Sequence, residues 1–196
     1  MEKMYMIDEY RIVQEDGTLD LRGVIDIKEM EYNVNQSIKK VIIGSSVKTI
    51  GAWAFSHCHN LSELLFEEPC QITKLEYACF SHCSNLRKID LPSSIQKIDS
   101  YAFHICPLDR VILRGPCRIG YDCFRTNTLT YLHIADSIQK FHKNAFYRMD
   151  DLPFSESPCK IYIRPEFHDE IKRIFHTFNR DVEFIGNEFE EGHVLK

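Results

Sequence analysis

The strongest constraint on this chain is self-similarity. Phe55, Phe80, Phe103, Phe124 and Phe146 recur every 21 to 25 residues. Five residues before each stands an apolar residue: Ile50, Leu75, Ile98, Ile119 and Phe141. Directly before each stands a small one: Ala54, Cys79, Ala102, Cys123 and Ala145. A leucine opens the stretch that follows (Leu61, Leu86, Leu108, Leu129, Leu152), and a short apolar alternation comes next: Leu64 and Phe66, Ile89 and Leu91, Val111 and Leu113, Leu132 and Ile134. An earlier copy carries Ile38, Val41 and Ile43. Alternation with period two marks a strand with one face toward a core.

A unit of this length led by L-x-x-L-x-L is a leucine-rich coil. One coil cannot bury its apolar side alone, but stacked coils turn each consensus position into a ladder and share one core. The fold expected is therefore a leucine-rich repeat solenoid, mainly β with short turns, built from coils of about 21–25 residues. The copies also alternate. Turns with Ser45 and Ser46, Ser93 and Ser94, or Asp136 and Ser137 alternate with Pro69–Cys70, Pro116–Cys117 and Pro158–Cys159. Such alternation implies a two-coil superperiod.

Residues 43–58 and 86–106 resemble the BspA-type leucine-rich repeat, with its pattern I-P-x-S-V-x-x-I-G-x-x-A-F-x-x-C. Ile43, Ser46, Val47, Ile50, Gly51, Ala54, Phe55 and Cys58 fit it, with Gly44 in place of proline. The resemblance covers about residues 38–163. It implies a surface or binding protein of the kind often involved in adhesion.

Composition narrows the class further. Of the 196 residues, 44% are hydrophobic and 27% charged, which is ordinary for a globular chain and excludes wholesale disorder, collagen and a coiled coil. A net charge of -5 gives no sign of a nucleic-acid partner. No apolar run reaches the roughly 20 residues of a membrane span. Residues 1–10 carry acids where a signal peptide needs an apolar stretch, so a cytoplasmic protein is expected, or an extracellular one if the chain is a trimmed fragment.

The eight cysteines sit in repeat positions. Cys58, Cys83 and Cys106 each follow a repeat phenylalanine by three residues and should stack as free, buried thiols. His57, His59, His82 and His104 lie beside them. Zinc needs four convergent ligands, usually in close pairs, and these spacings do not provide them. A cysteine nucleophile needs a positioned base and a cleft, which a repeated ladder does not single out. No catalytic, cofactor-binding or metal-binding residue is assigned, and no cofactor is expected.

The ends need caps. Residues 1–37 are expected as an N-terminal β cap, a hairpin turning at Asp16 and Gly17. Residues 38–163 form the solenoid. Residues 164–187 form a helix–strand cap: Pro165 opens a helix whose apolar face is Phe167, Ile171, Ile174, Phe175 and Phe178, and Val182–Ile185 closes as a strand. Residues 188–196 are an acidic tail. All belong to one structural domain.

Function is placed on the outward side of the strands. One row there is Ile42, Leu65, Asp90, Ile112 and His133. Beside it run Lys40, Glu63, Lys88, Arg110 and Tyr131. Apolar side chains with a polar rim suggest a contact surface. The expected partner-binding residues are Ile42, Leu65, Asp90, Ile112, His133, Lys88, Arg110 and Tyr131. The expected function is a non-enzymatic protein-interaction module with a protein partner, the alternative being adhesion or carbohydrate binding at a host surface. A monomer is the expected state.

Overall fold

The structure, a computed structural model, describes residues 12–126, 128–134, 138–142, 144–146, 158–176 and 182–185. Each repeat makes one coil with two strands. The first strands of the successive coils are β1 (Thr18–Asp20), β3 (Lys40–Ile43), β5 (Glu63–Phe66), β7 (Lys88–Leu91), β9 (Arg110–Leu113), β11 (Tyr131–Ile134) and β13 (Cys159–Tyr162). The second strands are β2 (Asp26–Ile27), β4 (Thr49–Ile50), β6 (Lys74–Leu75), β8 (Lys97–Ile98), β10 (Cys117–Ile119) and β12 (Ile138–Phe141). The second strands form one parallel six-stranded sheet. The first strands form two parallel ladders, β1-β3-β5 and β7-β9-β11-β13. Hydrogen bonding lapses between β5 and β7, which still lie side by side.

The repeat phenylalanines form the third side. Tyr32, Phe55, Phe80, Phe103, Phe124 and Phe146 stack in one file with centroids 5.1–5.6 Å apart. Phe103 is fully buried between Phe80 and Phe124, as the register requires. Around this file the backbone bonds from coil to coil without being a strand. Trp53, Phe55 and His57 donate their N–H groups to the carbonyls of Tyr77, Cys79 and Ser81, at 2.8–3.0 Å. Two residues four apart in each coil are left-handed: Trp53 (φ 53°) and His57 (φ 59°), Ala78 (φ 51°) and His82 (φ 60°), Tyr101 (φ 61°) and Ile105 (φ 56°). The intervening N–H groups of Ala54, Ser56 and Cys58 donate within the coil to the carbonyls of Gly51, Trp53 and Phe55, so these backbone donors are paired. Gly51 is required where the turn begins, because a Cβ there would fall 2.5 Å from the backbone nitrogen of Glu29 in the coil before.

The solenoid starts earlier than expected. The turn at Asp16 and Gly17 does form, with one antiparallel bridge from Val13 to Leu19. From Thr18 onward, however, the segment read as a hairpin cap is a coil. Strand β1 pairs in parallel with β3, β2 pairs with β4, and Tyr32 takes the phenylalanine position. Leu19, Leu21 and Ile27 supply its buried ladder residues. The first boundary thus lies near residue 18 rather than 38.

At the other end, Pro165–Phe167 make a 3-10 turn that leads into α1 (His168–His176). Ile171 is fully buried and Phe167 packs partly against the core. The closing strand β14 (Val182–Ile185) pairs in parallel with β13. The side chains of Ile174 and Phe175, and Phe178 and the tail 188–196 altogether, lie outside the described residues.

Candidate interaction surface

In-register pairing brings the expected outward residues into neighbouring positions. Lys40 stands beside Glu63 and Ile42 beside Leu65. Lys88 stands beside Arg110, and Asp90 beside Ile112. Tyr131 follows Arg110 and His133 follows Ile112. Long side chains tie these columns together. Lys40 reaches Glu63 at 3.0 Å. Arg114 donates two hydrogen bonds to the Asp90 carboxylate, at 2.6 and 2.7 Å. The Arg110 guanidinium lies 3.7 Å from the centre of the Tyr131 ring, and Tyr131 lies 4.8 Å from Tyr162.

The row does not form an exposed apolar patch. Leu65 is 37% exposed and Ile42 half-buried, but Ile112 is only 6% exposed and His133 only 5%. Both were expected to face solvent. They do alternate away from the solenoid core. In register, though, Ile112 lies between Asp90 and His133, beside the Asp90–Arg114 pair, and the Tyr162 ring lies 6.0 Å from His133. Strand neighbours under 5 Å apart let long side chains cover a shorter one between them. Burial, with Arg114 and Arg110 nearby, lowers the pKa of His133.

The large apolar surface lies elsewhere, on the turn edge outside the phenylalanine file. Trp53, Tyr77 and Tyr121 are 36–39% exposed, and Met30 and Val34 more than half exposed. Trp53, Tyr77, Tyr101, Tyr121 and His142 run from coil to coil with ring centroids 5.1–5.4 Å apart. Successive rings are inclined by 59–72° rather than stacked flat. Sequence reasoning passed over this file because its rings do not share one repeat position. Trp53 and Tyr101 lie two residues before their phenylalanine, whereas Tyr77 and Tyr121 lie three before theirs. The signal was the two-coil superperiod, which exchanges the two slots from coil to coil.

A family model for the BspA type leucine rich repeat region matches residues 25–153 in six copies. The chain belongs to the BspA-type leucine-rich repeat family. Among solved structures, a leucine-rich repeat protein from Bacteroides ovatus is similar to it, with 19% sequence identity and a TM-score of 0.57. The likeness covers 85% of this chain and 44% of that one, so the chain spans less than half the length of that neighbour. At this identity the likeness concerns the fold. No curated protein sequence matches the chain. BspA-type repeats are interaction or surface modules and are typically non-enzymatic.

The family's cysteine position has a clear role in this BspA-type solenoid. Each thiol reaches back one coil and donates to the carbonyl of the ring residue there. Cys58 bonds Tyr32 at 3.1 Å, Cys83 bonds Phe55 at 3.3 Å, and Cys106 bonds Phe80 at 3.0 Å. Burial pushes the Cys58 thiol up to about 11 and Cys83 well above its ordinary value. The Cys58 and Cys83 sulfurs stay protonated at neutral pH, which makes them poor nucleophiles and poor metal ligands.

Of the turn histidines, His57 and His59 are exposed, and His82 and His104 are half-buried. His57 and His82 stack with centroids 4.4 Å apart and planes 6° apart, and each ring's Nδ1 is hydrogen-bonded to the preceding serine, Ser56 or Ser81. Parallel imidazoles aim their lone pairs side by side, not at a common ion. Among the described residues no group of three candidate ligands gathers around a metal position. His104 is half-buried, and burial, with His82 and Arg125 nearby, lowers its pKa to about 4. No helix among the described residues is long and apolar enough to cross a membrane.

Proposed function

We propose that the chain is a non-enzymatic protein-interaction module whose strand face receives a protein partner. The observation carrying this reading is the Arg110–Tyr131–Tyr162 cluster, set on in-register strands beside the Asp90–Arg114 pair and in the same file of strands as exposed Leu65. Arginine and tyrosine are the residue types that most often dominate contact energy, and their neighbours already hold them in place. A surface fixed before binding loses little entropy on association. Protonated, buried thiols and side-by-side imidazoles favour the non-enzymatic reading. Adhesion at a cell surface would use the same face and differ in where the chain works.

The test is affinity capture from the native cell with wild-type protein and two variants. Arg110→Ala with Leu65→Asp should remove a partner that wild type retains, with the melting temperature nearly unchanged. Tyr77→Ala, on the turn edge, should keep that partner. A partner retained by the strand-face variant refutes the assignment.

A further inference from the structure

The strand face divides where hydrogen bonding lapses between β5 and β7, and its two halves handle charge differently. Along β1–β5 the charges answer one another: Asp20 holds Arg22, and Lys40 holds Glu63. From β7 to β13 they do not. Lys88, Arg110, Tyr131 and Lys160 occupy one in-register row. Among the described residues no carboxylate pairs with Lys88, Arg110 or Lys160. Asp90, one row over, is taken up by Arg114. In the turns before β7 and β9, Arg87 and Asp109 carry opposite charges and offset each other. The row thus concentrates positive charge on a chain whose net charge is -5. Arg110 sharpens the point. It is half-buried against the Tyr131 ring, and its Nε is buried with no acceptor. A cation partly withdrawn from water with no counter-charge is unfavourable in the free protein. The same withdrawal strengthens its attraction for an anion set beside it.

We propose that the strand face binds an acidic peptide segment of its protein partner, with carboxylates on Lys88, Arg110 and Lys160 and an apolar side chain against Tyr131. The proposal rests on the strand face being the contact surface, and it names the chemistry of what that surface receives. The dimensions fit a peptide. At ordinary strand spacing Lys88 lies about 4.8 Å from Arg110, and Lys160 about 9.6 Å further on. An extended segment laid across the strands advances about 3.3 Å per residue, so about five residues span the row. The charges beyond the row disfavour a long polyanion. Glu183 follows Lys160 on β14, Glu63 lies on β5 at the other side, and the whole chain is acidic. A nucleic acid carries charge on every unit and would run on into these carboxylates. A peptide changes composition within a few residues. Exposed Leu65 and the Tyr131–Tyr162 rings supply apolar contact beside the cations, which a peptide side chain can use.

Intact protein is titrated, with fluorescence anisotropy as readout, against three labelled probes: a ten-residue peptide of glutamate and leucine, its glutamine counterpart, and a ten-nucleotide single-stranded DNA. The acidic peptide should bind saturably, at least tenfold tighter than either other probe, and should weaken as salt is raised. Lys88→Glu with Lys160→Glu should weaken it at least tenfold. The same variant should instead bind the peptide with lysine in place of glutamate, a gain that unfolding cannot produce. Lys97→Gln, on the second-strand sheet, should leave binding unchanged. No saturable binding of the acidic peptide, equal binding of the glutamine peptide, DNA binding as tight, or a charge-reversed variant that keeps its acidic preference would each overturn the proposal. Capture from the native cell separates this failure from that of the underlying reading. A partner kept by Lys88→Glu with Lys160→Glu but lost by Arg110→Ala with Leu65→Asp overturns the acidic occupant and leaves the strand face as the contact surface. A partner kept by both variants overturns both.

Discussion

Two long surfaces of one repeat expose different chemistry. On the strand face across β7, β9 and β11, Ile112 is 6% exposed, and only beyond it on β5 does Leu65 keep 37%; on the turn edge, Trp53, Tyr77 and Tyr121 keep 36–39%. The difference is geometric. A sheet holds neighbouring side chains parallel, so Arg114 and Asp90, or Arg110 and Tyr131, reach across the coils and close over what lies between. At the turn edge the rings meet at 59–72°, so each touches its neighbour's rim without covering it. Regular pairing therefore makes the strand face preorganised, and inclined ring contacts leave the turn edge aromatic and open.

Both surfaces rest on one core, and the largest predicted effect tests that. Phe103→Ala should cost about 3–5 kcal/mol through the cavity it leaves between Phe80 and Phe124. Denaturant melts should show one transition for Trp53 emission and for circular dichroism. A loss under about 1 kcal/mol, or two separate transitions, would mean that the turn edge is not coupled to the sheets.

Next in size is a pair of substitutions within one row. Ile112→Asp places a carboxylate in a covered site and should cost about 3 kcal/mol or more. Leu65→Asp changes an exposed position of the same row and should cost under about 1 kcal/mol. Equal, small costs would show that the strand face is as open as the turn edge.

The ladder was legible because its signals are local and repeated. Phe55 through Phe146, the small residue before each and the alternation after each leucine imposed the register, and the pairing of Val41 with Leu64 or Ile89 with Val111 follows from it. The first coil was missed because Tyr32 replaces the marker phenylalanine and Met30 and Val34 do not resemble their counterparts. Outward exposure was misjudged at Ile112 and His133 because alternation gives a direction, while exposure depends on how far the neighbours in other coils reach. The aromatic edge was missed for the opposite reason. Its regularity exists in space and is broken in sequence by the shift between Trp53 and Tyr77.

Acid should distinguish the two surfaces again, because His104 adjoins the aromatic edge: its ring lies 4.9 Å from that of Tyr101. The folded pKa of His104 is about 4, set first by burial, against 6.5 for the free side chain. Below pH 6.5 the unfolded chain therefore binds a proton that the folded chain refuses, and stability falls as pH drops toward 4. His82, lowered in the same direction by burial and by His57 and His59, adds to the effect. After allowance for partial exposure, His104 should contribute about 1–2 kcal/mol across that window. Chemical melts of wild type and His104→Gln at pH 7 and pH 4.5 measure it. The variant should lose less stability on acidification, and parallel losses would place the acid-sensitive group elsewhere.

The smallest effect concerns the thiol file beneath the turn edge. Cys106 donates to the Phe80 carbonyl at 3.0 Å from a fully buried position, and so ties two coils at the base of the aromatic edge. Cys106→Ala removes one weak hydrogen bond and one sulfur's worth of packing, and it should cost about 1–1.5 kcal/mol. Cys70, half-buried in an alternate turn, packs only at the margin of the core, and Cys70→Ala should cost under about 0.5 kcal/mol. The location of the change is more telling than its size. If the thiols serve as inter-coil ties, hydrogen exchange in Cys106→Ala should quicken at Ala78–His82 and Tyr101–Ile105, while the β7–β9–β11 amides keep their protection. Uniform quickening over both surfaces would mean that Cys106 acts only as filler of a shared core.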